Sequence, residues 1–142
     1  MTSSLSLVPL CTVDLTIERA KLVGAGPAGE RWIAQVTGMV LNGDRIRAQL
    51  VGQAADYVTV SGGVATIDVR ALVETDDGAL IVIQYRGRTN ATTRVGSSPA
   101  YVTPTFDTGH PDYSWLNCIQ AVGRSQPSDL KSAHYDWYEL AG

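Results

Sequence analysis

The chain has 142 residues, 44% hydrophobic and 18% charged, enough for one domain with its own core and too short for a comfortable pair. Its formal net charge of -3, with 11 scattered Lys and Arg, argues against a nucleic-acid surface, which needs clustered cations. No apolar run approaches the roughly 18 residues of a membrane-spanning helix. Two cysteines, Cys11 and Cys118, offer neither a zinc spacing nor a disulfide framework, so two buried thiols in a cytoplasmic protein are expected.

At the N-terminus, "MTSSLSLVPLCTVDL" lacks a basic region, and Ser, Pro, Thr and Asp interrupt its apolar residues. Neither a signal peptide nor an anchor is expected there. Next comes "KLVGAGPAGERW" at 21–32, where Gly24, Gly26 and Gly29 satisfy G-x-G-x-x-G and Asp44 stands about where a ribose-binding acid would. A dinucleotide fold needs parallel strands joined by crossover helices. Turn signals follow instead at "NGD" (42–44), "SGG" (61–63), "TDDG" (75–78), "RGRTN" (86–90), "GSSP" (96–99) and "TGHPD" (108–112). That rhythm suits short strands and leaves little space for helices. The glycines therefore read as a loop leading into a strand, and no nucleotide cofactor is expected.

Residues 64–75, "VATIDVRALVET", put Ala65, Ile67, Val69, Ala71 and Val73 on one face and Thr66, Asp68, Arg70 and Glu74 on the other, the period of a strand. "DDG" then "ALIVIQYR" completes a predicted hairpin over 64–86. The segments 113–123 and 132–140 are expected to continue as strands.

The strings "GERW", "VTGMVLNGDRIRAQLVGQAADYVTVSGGVATIDVRALVETDDGALIVIQYRG", "PAYVTPTFDTGHPDYSWLN" and "YDWYEL" occur in that order. On them the chain resembles the DUF3237 family, also called UPF0311, from about residue 8 to 140. The resemblance implies an all-β fold, a small up-and-down antiparallel β-barrel of about eight strands with a capacious centre. Its topology would be lipocalin-like or outer-membrane-barrel-like but soluble, in a single domain over 1–142. The resemblance assigns no reaction. Tyr57 stands where the family usually carries Trp, which bears on the size of any pocket there.

A barrel of that size either fills with side chains or holds one small ligand. Asp68 and Arg70 share a face, which is either a solvated exterior or a polar lumen in which Arg70 holds an oxyanion. Asp56 shares a face with Val58 and Val60; among apolar groups its pKa would rise into the range of proton transfer, and a turn cap or structural ion pair is the alternative. Tyr113, Trp115 and Asn117 alternate in "DYSWLN" and form either one wall of a site, completed by Tyr85 and Phe106, or plain core. His110 and His134 have no partners for a metal site, and Ser61, Ser97 and Ser98 lack the setting of a nucleophile.

These residues lead to an expectation of a cofactor-free enzyme of isomerase, cyclase or lyase type acting on a small hydrophobic, carbonyl-containing metabolite. Asp56 would move the proton, Arg70 and Asn117 would stabilise the oxyanion, and Tyr57, Tyr85, Phe106, Tyr113 and Trp115 would bind the substrate. A noncatalytic carrier or sensor with the same pocket is the alternative. A small hydrophobic or aromatic metabolite is the expected partner, with no nucleic acid, membrane or metal, and a homo-oligomer is compatible with the reading.

Overall fold

Alternation of apolar and polar residues along most of the chain makes strands, and the turns between them are short, so consecutive strands pair. The computed structural model describes residues 3–142. Its strands are β1 (Ser6–Ile17), β2 (Lys21–Gly26), β3 (Gly29–Asn42), β4 (Arg47–Leu50), β5 (Ala54–Ser61), β6 (Val64–Thr75), β7 (Leu80–Asn90), β8 (Ala100–Val102), β9 (Thr105–Asp107), β10 (Ala121–Ser125) and β11 (Ser132–Ala141), with a 3-10 helix at Pro111–Cys118. The ring runs β1, β3, β5, β6, β7, β8, β10, β11 and closes where β11 pairs antiparallel with β1. These form a closed eight-stranded antiparallel barrel in chain order, and closure removes the free edges of the ring. Of the remaining strands, β2 folds back on β3, β4 bridges β3 and β6, and β9 pairs with β7.

On β6 the expected faces are present: Ala65, Ile67, Val69, Ala71 and Val73 are buried in the barrel and Arg70 and Glu74 are exposed. The hairpin with β7 extends beyond its expected end to Asn90. Its turn is set by Thr75, whose Oγ1 accepts from the Ala79 N–H at 2.8 Å, and by Gly78 at φ 90°.

The glycine-rich opening stretch is a second hairpin. β2 pairs antiparallel with β3, Lys21 facing Ile33, so two strands occupy the place of the expected loop. No helix follows Gly29. It adopts φ 116°, and a Cβ there would lie 2.6 Å from the Val60 carbonyl oxygen. The glycine thus serves the turn and a close approach to β5. Asp44 sits in the bend between β3 and β4.

Residues 111–118 depart from the strand expected for this part of 113–123; β10 begins only at Ala121. Pro111 opens the 3-10 helix and the His110 Nδ1 accepts from the Asp112 N–H at 3.2 Å. Proline favours a helical start because its missing N–H would be unpaired there. With three residues per turn, the alternation of Tyr113, Trp115 and Asn117 no longer places them on one face. The helix plugs the barrel end that carries the β6–β7 turn, burying Leu116 completely and anchoring to that turn through the Tyr113 hydroxyl, which donates to Asp77 Oδ1 at 2.9 Å.

Inside, Tyr85, Phe106, Tyr135 and Trp137 form an aromatic cluster, with Trp137 edge-on to both Tyr85 and Phe106. Of the two thiols expected to be buried, Cys11 is, and burial pushes it up to about 12; Cys118 lies exposed at the end of the 3-10 helix. Among the described residues, no helix is long and apolar enough to cross a membrane.

Candidate active site

Asp56 is the third residue of β5, between Ala34 of β3 and Val69 of β6. Ala54 and Val58, two residues to either side, are buried, so the period of two turns the Asp56 side chain inward with them. The ladder between β5 and β6 skips Tyr57 and Val58. In that gap the Asp68 N–H donates to Asp56 Oδ1 at 3.2 Å, so a carboxylate oxygen takes a ladder N–H. Burial raises the Asp56 pKa from 3.8 to about 7, the Asp68 N–H acts against that rise, and the Asp68 charge adds to it. An uncompensated carboxyl in an apolar wall behaves this way because losing water penalises the charged form.

The carboxyl opens on a cavity of about 90 Å³. Barrel strands supply most of the wall, including Trp32, Ile67 and Tyr135, and two loops cover it, one with Val95 and Gly96, the other with Ser128 and Leu130. The loops meet through the Ser128 N–H, which donates to the Gly96 carbonyl at 2.7 Å. Among the described residues, no Lys, Arg or His lines the cavity. Most of its polar side chains are committed: Trp32 Nε1 donates to Glu30, Thr89 Oγ1 to the Pro99 carbonyl, Ser125 Oγ accepts from the Ala100 N–H and Ser128 Oγ from the Leu130 N–H. That leaves the second oxygen of Asp56 and the Tyr135 hydroxyl, which takes part in no hydrogen bond among the described residues. Burial, reinforced by the Asp56 charge, holds the Tyr135 phenol well above its ordinary pKa, so it remains a donor near neutral pH.

Of the residues expected at the site, Asp56 alone lines the cavity. Tyr85 and Phe106 are buried in the barrel, but both belong to the aromatic cluster around Trp137, at 5.4 and 6.0 Å, and neither lines the cavity. Arg70 is on the outer face, as the alanines and valines of β6 occupy the inner one. Tyr57 is 51% exposed and lies in an external groove with Arg70. Tyr113 and Trp115 belong to the 3-10 plug, Trp115 beneath the Arg45 guanidinium at 4.7 Å. Asn117 clamps the backbone of Thr108, accepting from its N–H and donating to its carbonyl, each at 2.9 Å. The Arg70→Ala protein is expected to stay within about 0.5 kcal/mol of the wild type by urea denaturation, as for other exposed positions; a loss of several kcal/mol would contradict its outward placement.

Tyr135 and Trp137, both buried on β11, are inward residues that the expected site does not include. Their signal is the alternation in "HYDWY", which places Tyr135 and Trp137 on one strand face and His134, Asp136 and Tyr138 on the other. His134 itself is outside the barrel, its Nδ1 2.7 Å from Asp14 Oδ1.

A closed antiparallel barrel with one acid and a phenol turned toward an apolar cavity defines the class of protein. Residues 5–140 match the family described as "Protein of unknown function (DUF3237)", and the chain belongs to that family. It is similar to the hydroalkoxylation enzyme phnH of Penicillium herquei, 27% identical over 126 residues that cover 89% of this chain and 76% of that one. It is 26% identical to the UPF0311 protein RPA1785 of Rhodopseudomonas palustris over 136 residues, 87% of this chain and 89% of that one. Among solved structures, a β-barrel-like protein from Acinetobacter baumannii superposes with a TM-score of 0.86 at 33% identity over 99% of each chain.

Proposed function

We propose that the protein is an enzyme that moves a proton on a small, uncharged, largely apolar substrate inside the barrel, without a cofactor, with Asp56 as the proton-transfer group. One observation carries the reading: a carboxyl with no counter-ion, facing a cavity, whose pKa of about 7 keeps both its acid and base forms populated near neutral pH. The absence of cationic side chains from the cavity wall favours an uncharged substrate over a carboxylate or phosphate, which would add a second unpaired charge beside Asp56. The name of the Penicillium herquei relative, a hydroalkoxylation enzyme, fits the same class of chemistry.

Hydroalkoxylation adds an O–H across a carbon–carbon multiple bond. In such a step the Asp56 carboxyl gives its proton to one carbon while the substrate oxygen bonds to the other, and the hydroxyl proton passes to the carboxylate, which restores the acid. Tyr135 donates a hydrogen bond to a substrate oxygen and orients it. The cavity of about 90 Å³ is smaller than the roughly 300–1,000 Å³ of usual ligand sites, so a substrate of ordinary size enters as the Gly96 and Ser128 loops part.

The test is an NMR assay of small neutral hydroxy-enones and hydroxy-alkenes for cyclic ether formation. The wild type is expected to turn over members of the panel, and Asp56→Asn to lose about 10²–10⁴-fold in rate while still binding them. A wild type that binds panel members and converts none would make the barrel a carrier.

A further inference from the structure

Among the described residues, two donors in the barrel interior have no acceptor, the Tyr85 hydroxyl and the Trp137 Nε1–H. An unpaired buried donor is a standing penalty on stability. Phenylalanine at position 85 would keep the ring contacts with Tyr135 at 5.9 Å and Trp137 at 5.4 Å without it. The two donors differ in surroundings. Trp137 Nε1 packs against Gly123 of the barrel wall, 2.9 Å from where a Cβ on that glycine would stand.

Tyr85 lies on the side of Asp56. Asp56 pairs with Val69 and Val69 with Tyr85, so the three are consecutive partners across β5, β6 and β7. Adjacent strands are about 4.8 Å apart, so the Asp56 and Tyr85 backbones stand roughly 10 Å apart with both side chains directed into the barrel. The Asp56 charge raises the Tyr85 phenol, after burial and the neighbouring Tyr135, and keeps it a neutral donor. The ring of Tyr85 meets that of Tyr135, which lines the cavity.

Tyr85 does not itself line the cavity; Tyr135 stands between them. From this geometry we infer that the Tyr85 hydroxyl, behind the Tyr135 ring, is the anchor for a substrate's uncharged acceptor oxygen, and that the substrate is a neutral carbonyl compound whose C=O extends past Asp56 to reach it. The inference rests on the reading of Asp56 as the proton-transfer group and adds to it the functional group that the substrate must carry. Tyr135 then forms the partition that moves aside as the carbonyl reaches Tyr85.

Cyclohex-2-enone and cyclohexene, matched in shape and differing in the oxygen, serve as probes of binding by NMR titration. The wild type is expected to prefer the enone about three- to tenfold, the worth of one net hydrogen bond. Tyr85→Phe is expected to abolish that preference while raising the melting temperature, a combination that a merely structural hydroxyl would not give. A preference that survives Tyr85→Phe overturns the inference, as does a wild type that binds both probes equally or neither. Failure of the Asp56 reading shows differently, as an Asp56→Asn protein that retains turnover while the enone preference still depends on Tyr85.

Discussion

At pH 8 the Asp56→Asn protein is expected to be more stable than the wild type by about 2–4 kcal/mol. In the unfolded chain an aspartate titrates near 3.8; in the barrel the Asp56 carboxyl titrates near 7. Below the lower value both states hold the proton, and ionisation costs the fold nothing. Between the two the unfolded chain releases its proton while the folded one keeps it, so stability falls as pH rises. Above about 7 the penalty is complete and constant. Asparagine is nearly the shape of the protonated acid, can still accept the Asp68 N–H through its Oδ1, and never ionises.

The two proteins should therefore have similar stability at pH 4, diverge up to pH 7 and run parallel beyond. Urea denaturation of both at pH 4, 6 and 8 measures this directly, since taking the difference removes every other titrating group. Parallel curves over the whole range would mean that the carboxyl is solvated, and the proton-transfer role would lose its physical basis. The same substitution that stabilises the fold is the one expected to stop turnover, the relation anticipated when a strained group is retained for chemistry.

Trp137→Ala is the second large effect, an expected loss of about 3–5 kcal/mol. The indole is 1% exposed and packs edge-on against Tyr85 and Phe106. Room for it comes from Gly123 on the adjacent β10, where a Cβ would fall 2.4 Å from Trp137 Cδ1. Strands on all sides of a closed barrel are held by their ladders, so the wall cannot collapse into the vacated volume and the cavity cost is close to fully felt. Urea denaturation reads the loss. The emission spectrum supplies a check, because the blue-shifted component of the most buried tryptophan should disappear. A loss under about 1 kcal/mol would mean that the aromatic cluster is not the load on which the fold rests.

The local pattern of residues was sufficient for the strands and their facing wherever both sides of the pleat were marked. On 64–75 small and branched apolar residues alternate with Asp68, Arg70 and Glu74, and since a strand's period is two, burying one set exposes the other. The same logic directs Asp56 inward with Val58 and would have directed Tyr135 and Trp137 inward as well. The turns that follow the glycines at 24, 26 and 29 leave no length for crossover helices, which is legible in the sequence; that the glycines sit in the β2–β3 hairpin and not in a loop is not.

Where that pattern misled was in "DYSWLN". Alternation there is coincidental, since Pro111 and the His110 cap set a 3-10 path whose repeat is three, so Tyr113 and Asn117 became struts of a plug instead of a wall. Nor could local pattern show which inward residues meet. Asp56 and Tyr85 are brought near each other by the β5–β6–β7 ladders through Val69, but Tyr135 on β11, far off in sequence, joins them only because β11 closes on β1 and turns every inward side chain toward one axis. Closure also determined the chemistry of Asp56. A carboxylate on an open sheet keeps its water, whereas Asp56, half-buried among apolar strands, loses much of its solvent and gains no counter-ion, and that lifts its pKa to about 7.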